Sequence, residues 1–220
     1  MTKQAVIFGT GSLAEVIDFY LAHDSPYRVA AFTATGDFVG QPQFLGRPLV
    51  AFEEVETRFP PDTYEMFVAV GYRHLNRLRE QYCSAARTKG YKLLTYLSSK
   101  ATHWGDTMLG DNVFIFEDNT IQPFVKIGNG AILWSGNHIG HHSSIGPSCF
   151  ISSHVVVSGH CTVGDRCFIG VNATITDSVV VGNDNIIGPG ALIQKSTSDG
   201  EVHVAERAKK LPKDSSKFLR

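Results

Sequence analysis

Five of the nine histidines in this 220-residue chain fall between positions 138 and 160: His138, His141, His142, His154 and His160. Imidazole is neutral and basic near physiological pH, so such a cluster suits a general base, and it equally suits the ligand set of a metal. His142 and His160 are eighteen residues apart. The four cysteines, Cys83, Cys149, Cys161 and Cys167, form no C-x-x-C pair, so neither a zinc knuckle nor a redox motif is present. Near the start, Gly9-Thr10-Gly11-Ser12-Leu13-Ala14 sits between a strand-like run and a helical one. Backbone N–H groups at such a helix start suit a phosphate.

The elements that carry the histidines repeat with a period of six. An aliphatic residue recurs in one phase from Leu109 through Ile115, Ile121, Ile127, Leu133, Ile139, Ile145, Ile151, Val157, Val163, Ile169, Ile175, Val181 and Ile187 to Ile193. Neither a helical face (3.6) nor a simple strand (2) has this period. A solenoid has it, each hexad supplying one short strand and one corner, with three hexads to a triangular coil. Glycine follows the aliphatic at eight places, among them Gly128, Gly140 and Gly170, where a corner is expected to need backbone freedom. Four places after the aliphatic stands a small residue or an asparagine, a column that includes Cys149, Cys161 and Cys167. These thiols are therefore expected as small buried hydrophobes. Residues eighteen apart should stack, which sets Gly159 beside His141 and His160 beside His142.

Residues 1–100 read as alternating strands and helices. Strands are expected at 4–9, 27–32, 65–70 and 91–97, and helices from Leu13 to Leu21, over 53–58 and over 75–89, with a Gly- and Pro-rich loop through Pro48. That alternation predicts a small parallel, Rossmann-like α/β sheet. A dinucleotide site would also want a carboxylate at the end of the second strand, and Phe32-Thr33-Ala34 has none. NAD is thereby disfavoured.

The [LIV]-G-x-x-x-x pattern with Ile186-Ile187-Gly188-Pro189-Gly190-Ala191 resembles the hexapeptide acyltransferases, whose repeats form a left-handed parallel β-helix. With the N-terminal half included, the chain resembles the sialic-acid and bacillosamine acetyltransferases over residues 4–193. The resemblance implies a Rossmann-like sugar- or nucleotide-binding domain at 1–100, a β-helix acyltransferase domain at 101–193 and a tail at 194–220. It implies direct acetyl transfer from acetyl-CoA to a sugar or nucleotide-linked amino sugar, with His141 as base and Gly159 beside it. Where the family has an acidic residue after the histidine, His142 stands here and is counted with the catalytic residues; either Glu117, Asp118 or a carboxylate of a neighbouring subunit orients the His141 ring, or the ring is held less firmly. Gly159, Gly170, Val171, Ala173, Gly188 and Pro189 match segments followed by acetyl-CoA. Gly9, Gly11, Ser12, Thr33, Gly71, Tyr72, Asn137 and His138 are the implied substrate contacts, and Tyr72 and Arg73 replace the family's usual small polar residues. Acetyl-CoA lies between adjacent solenoids in this fold, so a homotrimer is implied, and no metal is expected.

A formal net charge of −1 gives no basic surplus for nucleic acid or anionic membrane. Neither a spanning segment nor a signal peptide is evident, and a cytoplasmic protein is expected. Two other readings use the same residues. One is a metal-dependent enzyme like the γ-carbonic anhydrases, with zinc on histidines between subunits. The other is a non-catalytic trimeric β-helix whose histidines are surface polarity. The tail from Lys195 holds seven Lys or Arg against four Asp or Glu and is expected either to meet the CoA 3′-phosphate or to be solvated.

Overall fold

A computed structural model describes residues 3–212 and 215–217. Its N-terminal half contains β1 (Lys3–Phe8), α1 (Ser12–His23), β2 (Tyr27–Ala34), β3 (Gln43–Phe44), β4 (Arg47–Ala51), α2 (Val55–Arg58), β5 (Tyr64–Val68) and α3 (Arg77–Thr88). The sheet order is β3-β4-β2-β1-β5, parallel except for β3. Ala5, Val6, Ile7 and Phe8 are all buried, as a parallel strand covered on both faces requires.

Two differences from the sequence reading concern the sheet margins. The expected loop through Pro48 contains the β3–β4 hairpin, and β4 joins the sheet beside β2 through its buried Leu49 and Val50. This apolar run is too short to register as a strand. The expected strand at 91–97 gives the sheet only the Leu93–Met66 bridge. Its end, β6 (Tyr96–Leu97), instead pairs with Phe114–Ile115 and so begins the solenoid.

Fifteen two-residue strands follow, β7 (Met108–Leu109) through β21 (Leu192–Ile193), each ending on the aliphatic of one hexad. Each pairs in parallel with the strand eighteen residues away, as in His138↔Val156 and Ser144↔Thr162. The result is a left-handed parallel β-helix. Its first face carries β6, β8, β11, β14, β17, β20 and β22 (Val202–His203), so the solenoid runs one strand beyond Ile193. The second face carries β9 through β21 in steps of three, and the third β7 through β19. The aliphatic column and the small-residue column form one buried core.

The glycine column has a different cause from the one expected. Gly140 has no positive φ; a Cβ there would lie 2.5 Å from the Ser158 carbonyl carbon of the next coil. Close stacking excludes the side chain. The left-handed backbone falls two positions later, at His142 (φ 58), Ser148 (57), His154 (59) and His160 (57).

Residues that precede the aliphatics point outward, and on the first face they are apolar: Phe114, Ile132 and Phe150 pack with Ala14, Ile17 and Leu21 of α1 in a second core. Arg79 of α3 is completely buried between the halves. Its guanidinium donates to Val70 O (3.1 Å) and Gly71 O (2.9 Å) on one side. On the other it donates to Gly130 O (2.7 Å), Ser148 O (2.8 Å) and Cys149 O (3.1 Å) of the coils. Burial lowers the Arg79 pKa from 12.5 to about 10, so the group is still charged at neutral pH.

Candidate active site

The corner between the second and third faces carries the histidines. Pro123, His141, Gly159 and Asp177 occupy one column there, and Phe124, His142, His160 and Ser178 the next. A Cβ built on Gly159 would meet the His141 ring at 2.9 Å (Cε1) and 3.0 Å (Nε2), so only glycine leaves this space open. The Gly159 carbonyl accepts from Ser178 N (3.0 Å), whereas among the described residues nothing accepts from the Gly159 N–H. An imidazole and an unshared backbone N–H thus meet at one corner, the His141 ring exposed and Gly159 buried.

His141 Nδ1 lies 3.1 Å from His142 Nδ1. One of the two must donate, and if His141 Nδ1 is the donor, its Nε2 keeps a lone pair toward the Gly159 side. The His142 ring is held in turn between Phe124 (centroids 4.6 Å apart) and His160 (4.8 Å, 14° between planes). Gln122 Oε1 accepts from the His141 backbone N–H (2.9 Å). Glu117 and Asp118 lie on the other edge of the second face. Glu117 accepts from Tyr20 OH (2.6 Å) and Ser135 Oγ (2.7 Å), so that carboxylate is committed to the α1 contact rather than to His141.

A second feature is a cavity of about 720 Å³ between the N-terminal sheet and the first face. Gly9, Gly11, Ser12, Gly71 and Tyr72 line it, as do Thr10, Arg73 and, from the coils, Trp134 and Phe150. Gly9 has φ +128, and a Cβ there would lie 2.9 Å from the Ala69 carbonyl oxygen, so glycine lets the loop turn into α1. Gly11 caps α1 with no side-chain bond, leaving first-turn N–H groups for an anionic ligand. The Tyr72 ring rests against Phe150 and Phe168, each at 5.0 Å.

Some expected contacts lie elsewhere. Thr33 is fully buried and donates its hydroxyl to Val50 O (3.0 Å). Asn137 is an interior residue whose amide donates to Trp134 O (2.5 Å) and accepts from Val155 N (2.8 Å). Both side chains satisfy backbone groups and do not reach the cavity. His138 sits on the second face between Thr120 and Val156, away from the cavity lining. The Ala173 side chain is in the solenoid core, so only its backbone is available. Gly170, Val171, Gly188 and Pro189 stack on the edge between the first and second faces, one face away from His141 and Gly159. Cys149, Cys161 and Cys167 are buried, their thiols donating to Gly164 O (3.0 Å), Thr176 O (3.1 Å) and Gly182 O (3.1 Å). Burial holds the Cys149 and Cys161 thiols above their usual pKa, which argues against a nucleophile.

Trp134 and Phe150 escaped the sequence reading. The signal for Phe150 was the eighteen-residue series Phe114, Ile132, Phe150, Phe168, Ile186, outward positions that stay apolar on one face alone; Trp134 lies outside it.

The bacterial transferase hexapeptide family (six repeats) matches residues 106–141, 142–177 and 160–195. Hexapeptide repeats thus occupy residues 106–195, and the chain is an acyltransferase. Among solved structures, the hexapeptide-repeat chain is similar to PerB from Caulobacter crescentus in complex with CoA and GDP-perosamine. That match has 27% identity, a TM-score of 0.80, and covers 92% of this chain and 94% of that one. A histidine-to-asparagine mutant of perosamine N-acetyltransferase from the same organism, also with CoA and GDP-perosamine, matches with 26% identity, a TM-score of 0.80, and coverage of 92% and 93%. The acetyltransferase domain of PglB from Neisseria gonorrhoeae, with acetyl coenzyme A, shares the fold with 21% identity, a TM-score of 0.62, and coverage of 92% and 96%. A search of curated proteins returns no match. Among the described residues no helix is long and apolar enough to cross a membrane.

Proposed function

We propose that this acyltransferase moves the acetyl group of acetyl-CoA directly to the amino group of a nucleotide-linked sugar. The observation that carries the reading is the pairing of His141 with Gly159, a base beside an unshared backbone N–H. Similarity to the Caulobacter enzyme, whose structure contains CoA and GDP-perosamine, supports acetyl-CoA as donor and an amino sugar as acceptor. The cavity, with its uncapped α1 terminus and the Arg73 cation, suits the diphosphate of such a sugar.

In the reaction, His141 Nε2 takes the proton of the attacking amine, the new C–N bond forms at the thioester carbonyl, and the C–S bond breaks. The Gly159 N–H holds the oxygen as negative charge develops. The proton then passes from His141 to the departing CoA thiolate. His142 acts as the positioning residue, accepting from His141 Nδ1 and so keeping the lone pair on Nε2.

The two edges matched to acetyl-CoA are one face apart in a single chain, which supports a homotrimer in which a neighbouring solenoid brings the second edge to the first. A cytoplasmic protein fits both substrates. The test is thiol release from acetyl-CoA with a panel of nucleotide-linked amino sugars, the product identified by mass. A gain of one acetyl group on the sugar is expected. Absence of turnover across amino and hydroxyl acceptors, with acetyl-CoA bound, would overturn the reading.

A further inference from the structure

The corner that holds the base also holds a second imidazole pair, and the three rings converge. One ring nitrogen from each of His141, His142 and His160 lies within 4.8 Å of the others, all three exposed. The His141–His142 pair is already at 3.1 Å, and the His141 and His160 rings are edge-on at 5.0 Å. Zinc–imidazole bonds of about 2.0–2.1 Å in a tetrahedron place ligand nitrogens roughly 3.3 Å apart. Small side-chain rotations at a solvent-facing corner bring the third nitrogen to that spacing. The backbone is fixed independently of any ion: His160 N donates to His141 O (2.9 Å), and His142 and His160 share the left-handed conformation eighteen residues apart. Neutral imidazoles suit zinc and nickel, whereas magnesium prefers oxygen.

We propose that His141, His142 and His160 form a transition-metal site that takes up one Zn²⁺-class ion and switches the enzyme off. The ion takes His141 through Nδ1, the nitrogen that faces His142 Nδ1, so it displaces that hydrogen bond and leaves the ring proton on Nε2, where the transfer cycle needs a lone pair. The fourth tetrahedral position is left to water. The inhibition rests on the acyltransfer reading; the binding does not.

The experiment compares the wild type with His160→Asn, since asparagine tolerates the left-handed backbone, and because His160 stacks on His142 each protein's inhibition is read relative to its own metal-free rate. Zn²⁺ binding is followed by calorimetry on the chelator-washed protein, and acetyl transfer is measured with Zn²⁺, with Mg²⁺ and after EDTA. The wild type is expected to bind one Zn²⁺ per chain and to lose activity with the same midpoint, reversibly with EDTA and not with Mg²⁺. His160→Asn should bind Zn²⁺ at least about ten-fold more weakly, with the inhibition midpoint shifted equally. Equal binding by the two proteins, no stoichiometric binding by the wild type, or equal inhibition by Mg²⁺ would each overturn the proposal. Because calorimetry reads binding without turnover, failure of the acyltransfer reading would leave the calorimetric difference standing.

Discussion

His141 and Gly159 contact each other because one helical coil of eighteen residues separates them, and if the thioester lies there as proposed, the site is sensitive to a single methyl group. Gly159→Val places a β-branched side chain within about 3 Å of the His141 ring, where the acetyl carbonyl would lie. Acetyl-CoA affinity and turnover should both fall by at least about ten-fold, with the thermal midpoint lowered only slightly, since the atoms a Cβ would meet belong to the His141 and Asp177 side chains and not to backbone. Unchanged kinetics in that variant would show that the thioester does not pass between the two residues. His142 has a different duty. Asparagine at 142 keeps the left-handed backbone and offers an amide oxygen to His141 Nδ1, so His142→Asn should retain far more turnover than His142→Ala. Equal losses in the two variants would mean that the Nδ1 contact does not set the tautomer.

At the scale of elements, α3 and the coils are joined through Arg79, whose five carbonyl partners lie on both sides of the boundary. Arg79→Met keeps the bulk of the chain and removes every donor, leaving four of the five carbonyls without their partner, since Cys149 O still accepts from Ile132 N (2.9 Å). A loss of at least about 3 kcal/mol is expected, because hydrogen bonds to charged groups contribute about 1.5–3 kcal/mol each. Urea unfolding monitored by far-ultraviolet dichroism and by the fluorescence of Trp104 and Trp134 should then separate into two transitions. A single transition with wild-type midpoint would contradict the clamp. The end of α1 is tied down by Asp24, which accepts from Ser99 N (2.9 Å), Tyr96 OH (2.6 Å) and Ser98 Oγ (3.3 Å). Hydrogen bonding from Ser99, then Tyr96, lowers its pKa from 3.8 to about 2. A depressed carboxylate stabilises the fold above its unfolded pKa, so the contribution is complete above about pH 4 and is lost as pH falls toward 2. Asp24→Asn should flatten the acid limb of the stability curve in that window; an unchanged limb would show that another carboxylate controls it.

For the whole molecule, the solenoid was readable because its constraint is one-dimensional: every sixth residue must fill the axis, and every eighteenth must stack. The aliphatic column, the buried cysteines and the Gly159–His141 contact all follow from that arithmetic. What the period does not encode is what lies against the faces. Trp134 and Phe150 meet the cavity because α1 docks on the first face, a long-range packing event that no local pattern in Gly9–Ala14 announces. Thr33 and Asn137 looked like contacts by position along the chain, yet each was needed to satisfy interior backbone groups, a demand visible only once neighbours are placed. β4 was missed for the same reason, since Leu49 and Val50 are a strand only beside β2.

The central claim, that His141 is the base at a corner completed by Gly159, is tested most directly by His141→Ala. Turnover of acetyl-CoA with the identified nucleotide sugar should fall by about a hundred-fold to ten-thousand-fold, with acetyl-CoA dissociation constant and thermal midpoint near wild type. The exposed ring lies outside both cores, so its removal should cost the fold little. Turnover within about three-fold of wild type, in a folded protein that binds acetyl-CoA normally, would contradict the account.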